Sequence, residues 1–169
     1  MIVLDRHVLT DADAHLAGED KEQARRFGWY PARSTLEGVR RAIERWQRQW
    51  AASGATRAFA IREEETGALA GGCEARLGDN RIAEMSYWVF PPFRGRGYAA
   101  RAIHLACEWA FAKLGVERME IYVEPDNMAS RGAALRAGFT EEGVLRARGQ
   151  FGGERRDLVL YSRLPSDRN

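Results

Sequence analysis

The sequence predicts an α/β (α+β) chain with one mixed central β-sheet of about seven strands and helices on both faces. Some segments place apolar residues at the helical period, whereas others alternate apolar and polar residues as strands do. After an opening strand and early helices, these segments follow one another as β-β-β-α-β-α-β-β. The first helix in that series is a crossover between parallel strands, while hairpins make other strand pairs antiparallel.

Helices dominate the first third of the chain. An opening strand is predicted over Ile2–Leu9, and Thr10–Asp13 resembles a capping box that begins a helix. A second short helix is predicted over Asp20–Phe27. The capping box Ser34–Glu37 predicts a long helix that ends near Gly54. Its apolar stripe, which we expect in the core, consists of Leu36, Val39, Ile43, Trp46 and Trp50.

The rest of the chain alternates between strands and helices. Strands are predicted over Thr56–Arg62, Ala68–Leu77, Arg81–Phe90, Val116–Glu124, Phe139–Arg148 and Glu154–Leu164. Helices are predicted from Gly97 or Tyr98 to Leu114 and over Met128–Ala137. Pro91-Pro92 stops the strand before the longer helix, and Gly152-Gly153 turns the closing hairpin.

Length and composition favour one soluble domain over residues 1–169. The formal net charge is +2, from 26 basic and 24 acidic residues, which is too balanced for a general nucleic-acid coat. Nothing approaches the roughly 18 apolar residues of a membrane span, and Asp5 and Arg6 interrupt the start as no signal peptide would. We therefore expect a cytoplasmic protein with no nucleic-acid or membrane partner. Its oligomeric state stays open, with a homodimer as one candidate.

The cysteines and histidines predict neither a metal site nor a covalent acyl-enzyme. Cys73 and Cys107 lie far apart and outside any Cys-x-x-Cys spacing, so we expect two small buried hydrophobes. The three histidines form no cluster, which argues against a zinc site. No positioned Cys or Ser–His pair suggests a covalent intermediate, so a transfer reaction would pass directly between its substrates.

The run Arg94-Gly95-Arg96-Gly97-Tyr98-Ala99 carries the strongest local signal. It joins a strand to an amphipathic helix, and its small residues let backbone N–H groups converge at the positive end of the helix dipole. Arg94 and Arg96 add positive charge, so an anion such as a pyrophosphate is expected here. A Walker P-loop is excluded because no Gly-Lys-Ser/Thr follows.

Two other interpretations of this run stay open. Gly95-x-Gly97-x-x-Ala100 matches a dinucleotide fingerprint, and Glu124 ends the next strand as a ribose-binding acid would. Against a nicotinamide-dependent oxidoreductase, that acid comes late, and Pro91–Arg94 separate the strand from the first glycine. A plain glycine-rich turn is the remaining alternative.

Arg94-x-x-Gly97-x-Ala99 also resembles the acetyl-CoA signature of the GNAT superfamily. Further matching segments follow in the family's order: Tyr87-Trp88-Val89, Trp109-Ala110-Phe111, Val123–Asn127 with Ser130, Gly138-Phe139 and Arg156–Ser162. Together they resemble the Rim-type branch of Nα-acetyltransferases of ribosomal proteins, closely from Met85 to Leu164 and only in element order before that. The resemblance implies a single-domain GNAT fold. It also implies an N-acetyltransferase that moves an acetyl group from acetyl-CoA, without a metal, to a primary amine in a ternary complex.

The resemblance implies roles for individual residues on the side of the acyl donor. Pantetheine would lie like an extra strand in a splay between two parallel strands, with the Val89 N–H polarising the thioester carbonyl. The pyrophosphate would bind the run Arg94, Gly95, Arg96, Gly97, Tyr98 and Ala99. Asn127 matches the family's pantetheine-binding Asn, with helix capping as its alternative role. Ser130 would donate a hydrogen bond to the leaving sulfur, since Ala134 occupies the position where many relatives carry a Tyr acid.

Glu84 is the candidate general base. It lies in the middle of a strand, where carboxylates are disfavoured, and some GNATs carry their base at this place. Burial would suit a base that takes the amine proton directly or through water. A salt-bridged surface Glu is the alternative, and Tyr122 and Glu120 on the facing strand are further candidates for the proton route.

The acceptor pocket is expected between the early helices and the closing hairpin. Trp29 and Tyr30, in a loop, and Phe151, in the hairpin, are the candidate lining residues. The amine is either a protein N-terminus or a small molecule, and the sequence leaves the choice open. A CoA-binding module that has lost catalysis is the competing class of function, against which Glu84 and Ser130 favour an enzyme.

Overall fold

One β-sheet organises the chain in a computed structural model, which describes residues 1–29 and 31–167. The strands in these residues are β1 (Ile2–Asp5), β2 (Thr56–Glu63), β3 (Leu69–Leu77), β4 (Ile82–Val89), β5 (Arg118–Val123), β6 (Thr140–Phe151) and β7 (Glu154–Arg163). The α-helices are α1 (Ala12–Gly18), α2 (Lys21–Phe27), α3 (Leu36–Ala51), α4 (Tyr98–Leu114) and α5 (Met128–Arg136). The strand order is β1-β2-β3-β4-β5-β7-β6, with β4 and β5 parallel and the other pairs antiparallel. The predicted mixed sheet of seven strands is therefore confirmed.

Helices cover both faces of the sheet and bury two cores. On one face, which we call the α4 face, α4 and α5 pack against residues such as Met85 of β4 and Met119 of β5. On the opposite face, the α3 face, α1 and α3 enclose Trp88 and Phe90. Successive residues of a strand point to opposite faces, so Glu84 of β4 lies on the α3 face. The central strand thus presents side chains to both cores.

Side-chain caps fix the beginnings of three helices. The three hydrogen bonds run from Gln23 N–H to Asp20 at α2 (2.8 Å), from Gly38 N–H to Thr35 at α3 (3.1 Å) and from Ser130 N–H to Asn127 at α5 (3.2 Å). Each cap accepts a hydrogen bond from a backbone N–H that the helix itself leaves unpaired. Two of these caps bring cavity-lining residues into place, because α2 and α5 flank the site described below.

Several boundaries differ from the sequence prediction by a few residues, and two of them have a clear physical reason. Thr35 rather than Ser34 caps α3, so Glu37 stands one position too early for the reciprocal bond of a capping box. β1 ends at Asp5 rather than Leu9, because the chain turns there and enters a short 3₁₀ turn before α1. Over the described ranges 1–29 and 31–167, no helix combines the length and apolarity needed to cross a bilayer.

Candidate active site

Strands β4 and β5 separate in the middle of the sheet. They pair in parallel only where Ile82–Glu84 of β4 meets Arg118–Glu120 of β5. Beyond these pairs β4 continues to Val89 and β5 to Val123, and the distance between the strands no longer permits a ladder. The result is a splay that opens toward the carboxyl ends of both strands, as the resemblance implied.

The backbone of β4 presents hydrogen-bonding groups to this splay. Phe90 N–H donates to the carbonyl of Ala70 over 2.9 Å, so Phe90 belongs to the hydrogen-bonded set of the β3–β4 ladder. In an antiparallel pair that set alternates with residues whose N–H and C=O point the other way. Met85, Tyr87 and Val89 belong to the second set, so their backbone groups face β5 and the splay. The Val89 N–H therefore points toward the cleft.

The predicted anion-binding loop stands at the N-terminus of α4. Gly97 caps the helix with φ +77° and Gly95 has φ +76°, both in the left-handed region that glycine adopts readily. A Cβ at either glycine would meet no atom within 4 Å, so the loop has free space in front of it. Arg94 donates to the Val89 carbonyl over 2.8 Å and to Asp20 over 2.6 Å. These bonds anchor the loop to β4 and to the start of α2.

One cavity of about 960 Å³ connects the loop, the splay and the α3 face. The predicted site residues in its lining are Glu84, Val89, Arg94, Gly95, Gly97, Tyr98, Ala99, Asn127, Ser130 and Phe151. The volume is that of a typical small-molecule site. Sequence reasoning therefore brought most of the candidate residues to one place, while their individual roles stay predictions.

Two predicted site residues are not in this lining, and a third, Tyr30, falls outside the described residues. Arg96 turns to the other side of the loop, where its guanidinium pairs with Glu63 over 3.1 Å and lines a separate small recess. Trp29 stacks on Phe27 with ring centroids 5.4 Å apart, and Phe27 is the one that reaches the cavity. Gly95 and Gly97, on either side of Arg96, both have a positive φ that turns the backbone, so the Arg96 side chain leaves the loop on the side away from the cavity. The sequence pattern did not reveal this orientation.

Ser130 stands beside a tyrosine for which the sequence predicted no role. The hydroxyls of Ser130 and Tyr87 lie 2.5 Å apart, and Tyr87 also donates to the Ser130 carbonyl over 3.0 Å. Burial raises the pKa of Tyr87 to about 12, only partly offset by its hydrogen bond to Ser130, so the phenol keeps its proton. Asn127 caps α5 and lines the same part of the cavity, so its two predicted roles are compatible.

Glu84 lines the cavity on the α3 face but is not enclosed. Its carboxylate accepts from Arg76 over 2.8 Å and its side chain is 45% exposed, so the burial expected for a base is not found. Across the last parallel pair it faces Glu120, whose carboxylate accepts from Tyr122 and from Arg118, each over 2.7 Å. Two carboxylates thus stand side by side on one face, each oriented by an arginine.

Helix α2 closes the α3-face end of the cavity through charge pairs. Arg26 contacts Glu124, just beyond β5, at 3.2 Å, and Arg156 of β7 reaches the same carboxylate at 3.2 Å. Phe151 packs under the end of this helix, because a Cβ on its C-cap residue Gly28 would stand 3.1 Å from the ring. This end of the site is therefore built from ion pairs and aromatic rings.

The dinucleotide interpretation of the glycine-rich run is wrong. Glu124, its candidate ribose-binding acid, is held by Arg26 and Arg156. The sheet has one parallel pair rather than the consecutive parallel strands of a doubly wound fold. In the described part of the chain, no three His, Cys, Asp or Glu side chains lie close enough to hold a metal ion.

Several cavity-lining residues carried no predicted role: Arg26, Arg76, Tyr87 and Arg148. The alternation of β4 could have identified Tyr87, since it shares its face with Met85 and Val89. The arginines had no local signal, because they reach the cavity from elements that are distant in sequence.

Comparison with known proteins identifies the family to which the chain is similar. A family model described as an acetyltransferase (GNAT) domain matches residues 2–140. The chain is also 38% identical over 85 residues to YdaF of Bacillus subtilis (strain 168), which is named as a candidate ribosomal N-acetyltransferase. That alignment covers 50% of this chain and 46% of the relative. The chain spans about half to three-fifths of the length of the curated relatives that it matches.

Solved structures share the fold over nearly the whole chain. A candidate acetyltransferase from T. thermophilus has a TM-score of 0.79 at 27% identity, covering 98% of this chain and 87% of that one. RimL, a ribosomal L7/L12 α-N-protein acetyltransferase in complex with coenzyme A, has a TM-score of 0.85 at 19% identity, covering 99% and 96%. The predicted GNAT fold is therefore confirmed, and at the identity of RimL the likeness extends to the fold alone.

Proposed function

The chain belongs to the GNAT acetyltransferase family, and we propose that it transfers the acetyl group of acetyl-CoA to a primary amine. One observation carries this proposal: a single cavity joins a helix N-terminus, the edge of a splayed strand and the carboxylate of Glu84 on the opposite face. The names of similar proteins support it, since YdaF is named for ribosomal N-acetylation and RimL was solved with coenzyme A. They also support the Rim-type branch that the sequence resembles.

The α4 face of the splay fits acetyl-CoA mainly through backbone groups. Bound acetyl-CoA supplies an activated acetyl group as a thioester. The Met85 carbonyl, both backbone groups of Tyr87 and the Val89 N–H lie on the free part of this strand edge, where they hydrogen-bond the pantetheine amides. The Val89 N–H stabilises negative charge on the carbonyl oxygen, as an oxyanion-hole donor does. The N-terminus of α4, with Arg94 beside it, holds the pyrophosphate.

The acceptor amine must lose a proton before it attacks, because a primary amine is largely protonated at neutral pH. We assign this proton to Glu84, which lines the cavity on the α3 face and is exposed enough for a water molecule to join it to the amine. Arg76 orients the carboxylate. Burial and the hydrogen bond to Glu120 raise the pKa of Tyr122, so its phenol keeps its proton and serves less well as a base.

The departing thiolate needs a hydrogen-bond donor on the α4 face. Ser130 lines the cavity there, and its hydroxyl is paired with that of Tyr87. Tyr87 has one proton to donate, so when its O–H turns from the Ser130 carbonyl to the Ser130 hydroxyl, that hydroxyl is free to donate to the sulfur. The two hydroxyls then act as a relay, in place of the single tyrosine acid that many members of the family use.

Thiol release and product mass test this proposal. The purified chain is incubated with acetyl-CoA and primary amines, with N-terminal peptides and small-molecule amines in separate arms. We expect CoA release only when an amine is present, and mass spectrometry should find one acetyl group on the amine nitrogen. Direct transfer further requires that the protein itself gains no acetyl group when amine is omitted. Calorimetric binding of acetyl-CoA without amine-dependent thiol release in any arm would instead support a CoA-binding module without catalysis.

A further inference from the structure

A bulge in the closing hairpin redirects one arginine. The register of β6 against β7 shifts between Leu145 and Gly149, so that three residues of β6 lie opposite Asp157 alone. In the middle of the bulge Ala147 has φ +52°, and its N–H donates to the Asp157 carboxylate over 2.7 Å. In a bulge of this kind, side chains no longer point alternately to the two faces of the sheet. The next residue, Arg148, lines the cavity.

Arg148 rests on a fixed aromatic platform. Its guanidinium carbon lies 5.0 Å from the centre of the Tyr122 ring, within the range of a cation–π contact. The Tyr122 hydroxyl donates to Glu120, and Arg118 holds Glu120 from the other side. The platform is therefore held through its hydroxyl, and a guanidinium that stacks on the ring keeps in-plane N–H donors for a further partner.

Arg148 differs from the other arginines that line the α3-face end of the cavity. Arg26 is paired with Glu124, and Arg76 is paired with Glu84. Among the residues that the structure describes, no carboxylate forms an ion pair with Arg148. Because the acidic side chains at this end already have partners, Arg148 contributes an uncompensated positive charge to the cavity wall.

Arg136, which also lines the cavity, lies away from the acceptor side. It belongs to the last turn of α5, which packs on the α4 face with the pantetheine-binding edge of β4. Arg148 shares the α3 face with Tyr122 and Glu84. Of the two, Arg148 is therefore the arginine that meets the acceptor.

We propose that Arg148 recognises a carboxylate of the acceptor, so that the preferred amines carry an acidic group close to the amino group. This inference rests on the proposed function, because it assigns the acceptor class of that same site. A guanidinium offers two parallel N–H donors that match one carboxylate.

The carboxylate has two sources, and the test separates them. The quantity measured is kcat/KM by thiol release, expressed per unprotonated amine, for pairs of acceptors of which one member carries a carboxylate. Phenylalanine against phenylalanine amide reports on an α-carboxylate, and the tripeptide amides Ser-Asp-Ala against Ser-Asn-Ala report on an acidic side chain near an N-terminus. We expect a preference of about 10-fold or more for the charged member of one pair. Equal kcat/KM within both pairs overturns the inference.

Variants of the arginine test whether it causes the preference. Arg148→Gln should bring the ratio of charged to neutral acceptor to about one, and Arg148→Lys should retain part of it. Arg148→Glu should reverse the preference toward Ser-Lys-Ala amide, a gain that misfolding cannot produce. Arg146→Gln, in the same bulge but outside the cavity lining, is the matched control and should keep the wild-type ratio. A ratio preserved in Arg148→Gln refutes the assignment.

Failure of the proposed function gives a different pattern. If the protein binds CoA but acetylates no acceptor, calorimetry on the CoA-saturated protein still measures the affinities of Ser-Asp-Ala and Ser-Asn-Ala amides. A preference of about 10-fold that Arg148→Gln removes would support the carboxylate site in the absence of catalysis. The same affinity for both peptides would overturn it.

Discussion

In the proposed function, the two faces of the splay bind their ligands by different means. The α4 face uses the backbone of β4 and the N-terminus of α4, whose positions follow from the fold itself. The α3 face uses side chains such as Glu84, Arg26 and Arg148, which come from elements far apart in sequence. A backbone site tolerates most substitutions that preserve the fold, whereas replacing a charged side chain on the α3 face by a neutral one changes the charge that an acceptor meets. Donor binding is therefore built into the architecture, and acceptor choice is open to change.

The largest effect is expected on the α3 face, where we assign the proton transfer to one side chain. Glu84→Gln keeps the shape but cannot take a proton, so turnover near pH 7 should fall by about 10²-fold or more. Activity should recover partly as pH rises and more of the amine is unprotonated, while affinity for acetyl-CoA stays within about twofold in calorimetry. Glu117→Gln, which also removes an exposed ion pair, is the control. Near wild-type turnover would make Glu84 structural.

On the α4 face, most substitutions should leave the binding of acetyl-CoA intact, but a negative charge in the anion-binding loop should weaken it. Gly97→Asp places a carboxylate where the pyrophosphate is proposed to bind, so affinity for acetyl-CoA should fall by about 10- to 100-fold. Gly67→Asp is a matched control, because Gly67 also has a left-handed φ and free space around a Cβ, but lies in the β2–β3 turn. Calorimetry on both variants separates the phosphate effect from backbone strain. Equal affinities would remove the anion site from this loop.

A smaller effect on kcat is expected from the two hydroxyl side chains of the α4 face, those of Tyr87 and Ser130. Tyr87→Phe removes the hydroxyl that supports Ser130, and kcat should fall by about 10-fold with KM for acetyl-CoA nearly unchanged. Ser130→Ala should have a similar effect, and the double variant should lose little more, since the two hydroxyls share one hydrogen bond. Pre-steady-state kinetics can check that the acetyl-transfer step is affected. Fully additive losses would show that the two residues act separately.

The smallest effect concerns the free energy of unfolding, which should depend on pH because of a buried histidine in the α3-face core. Burial lowers the pKa of His7, whose ring centroid lies 4.6 Å from that of Trp46 in the α3-face core, although the Asp11 carboxylate 3.7 Å away opposes the shift. The unfolded chain binds this proton near pH 6.5 and the folded chain only at lower pH. Stability is therefore lost as pH falls below about 6.5, by at most about 1.4 kcal/mol per pH unit. Urea unfolding at pH 7 and pH 5 should show a smaller difference for His7→Phe, and an unchanged difference would exclude His7 as the cause.

The sequence predicted the α4 face better than the α3 face, for a physical reason. Gly95 and Gly97 are close together in the chain, and a strand followed by glycines and a helix dictates an anion site locally. The edge of β4 at Val89 follows from one parallel crossover. Local patterns and the order of elements were therefore enough to bring these residues to the lining of the cavity.

The rest depended on geometry that no local pattern contains. Arg148 reaches the cavity through a bulge whose left-handed residue is Ala147, a residue type that gives no turn signal. Arg96 was predicted to bind the anion because it lies within the run Arg94–Ala99, although the loop turns its side chain away from the cavity. The surroundings of Glu84 depend on Arg76 across a strand pair, so the alternation of β4 fixed its face but not its ion pair.

The centre of the sheet is also its weakest seam. Three residue pairs join β4 to β5, whereas seven join β3 to β4. A further pair beyond Glu84 and Glu120 would strengthen the sheet, but it would occupy the backbone groups of Met85, Tyr87 or Val89. The sheet is therefore less stable between β4 and β5, but the backbone of β4 stays accessible there. Stabilising substitutions can accumulate in either core, but reinforcement of the seam itself would close the site it forms.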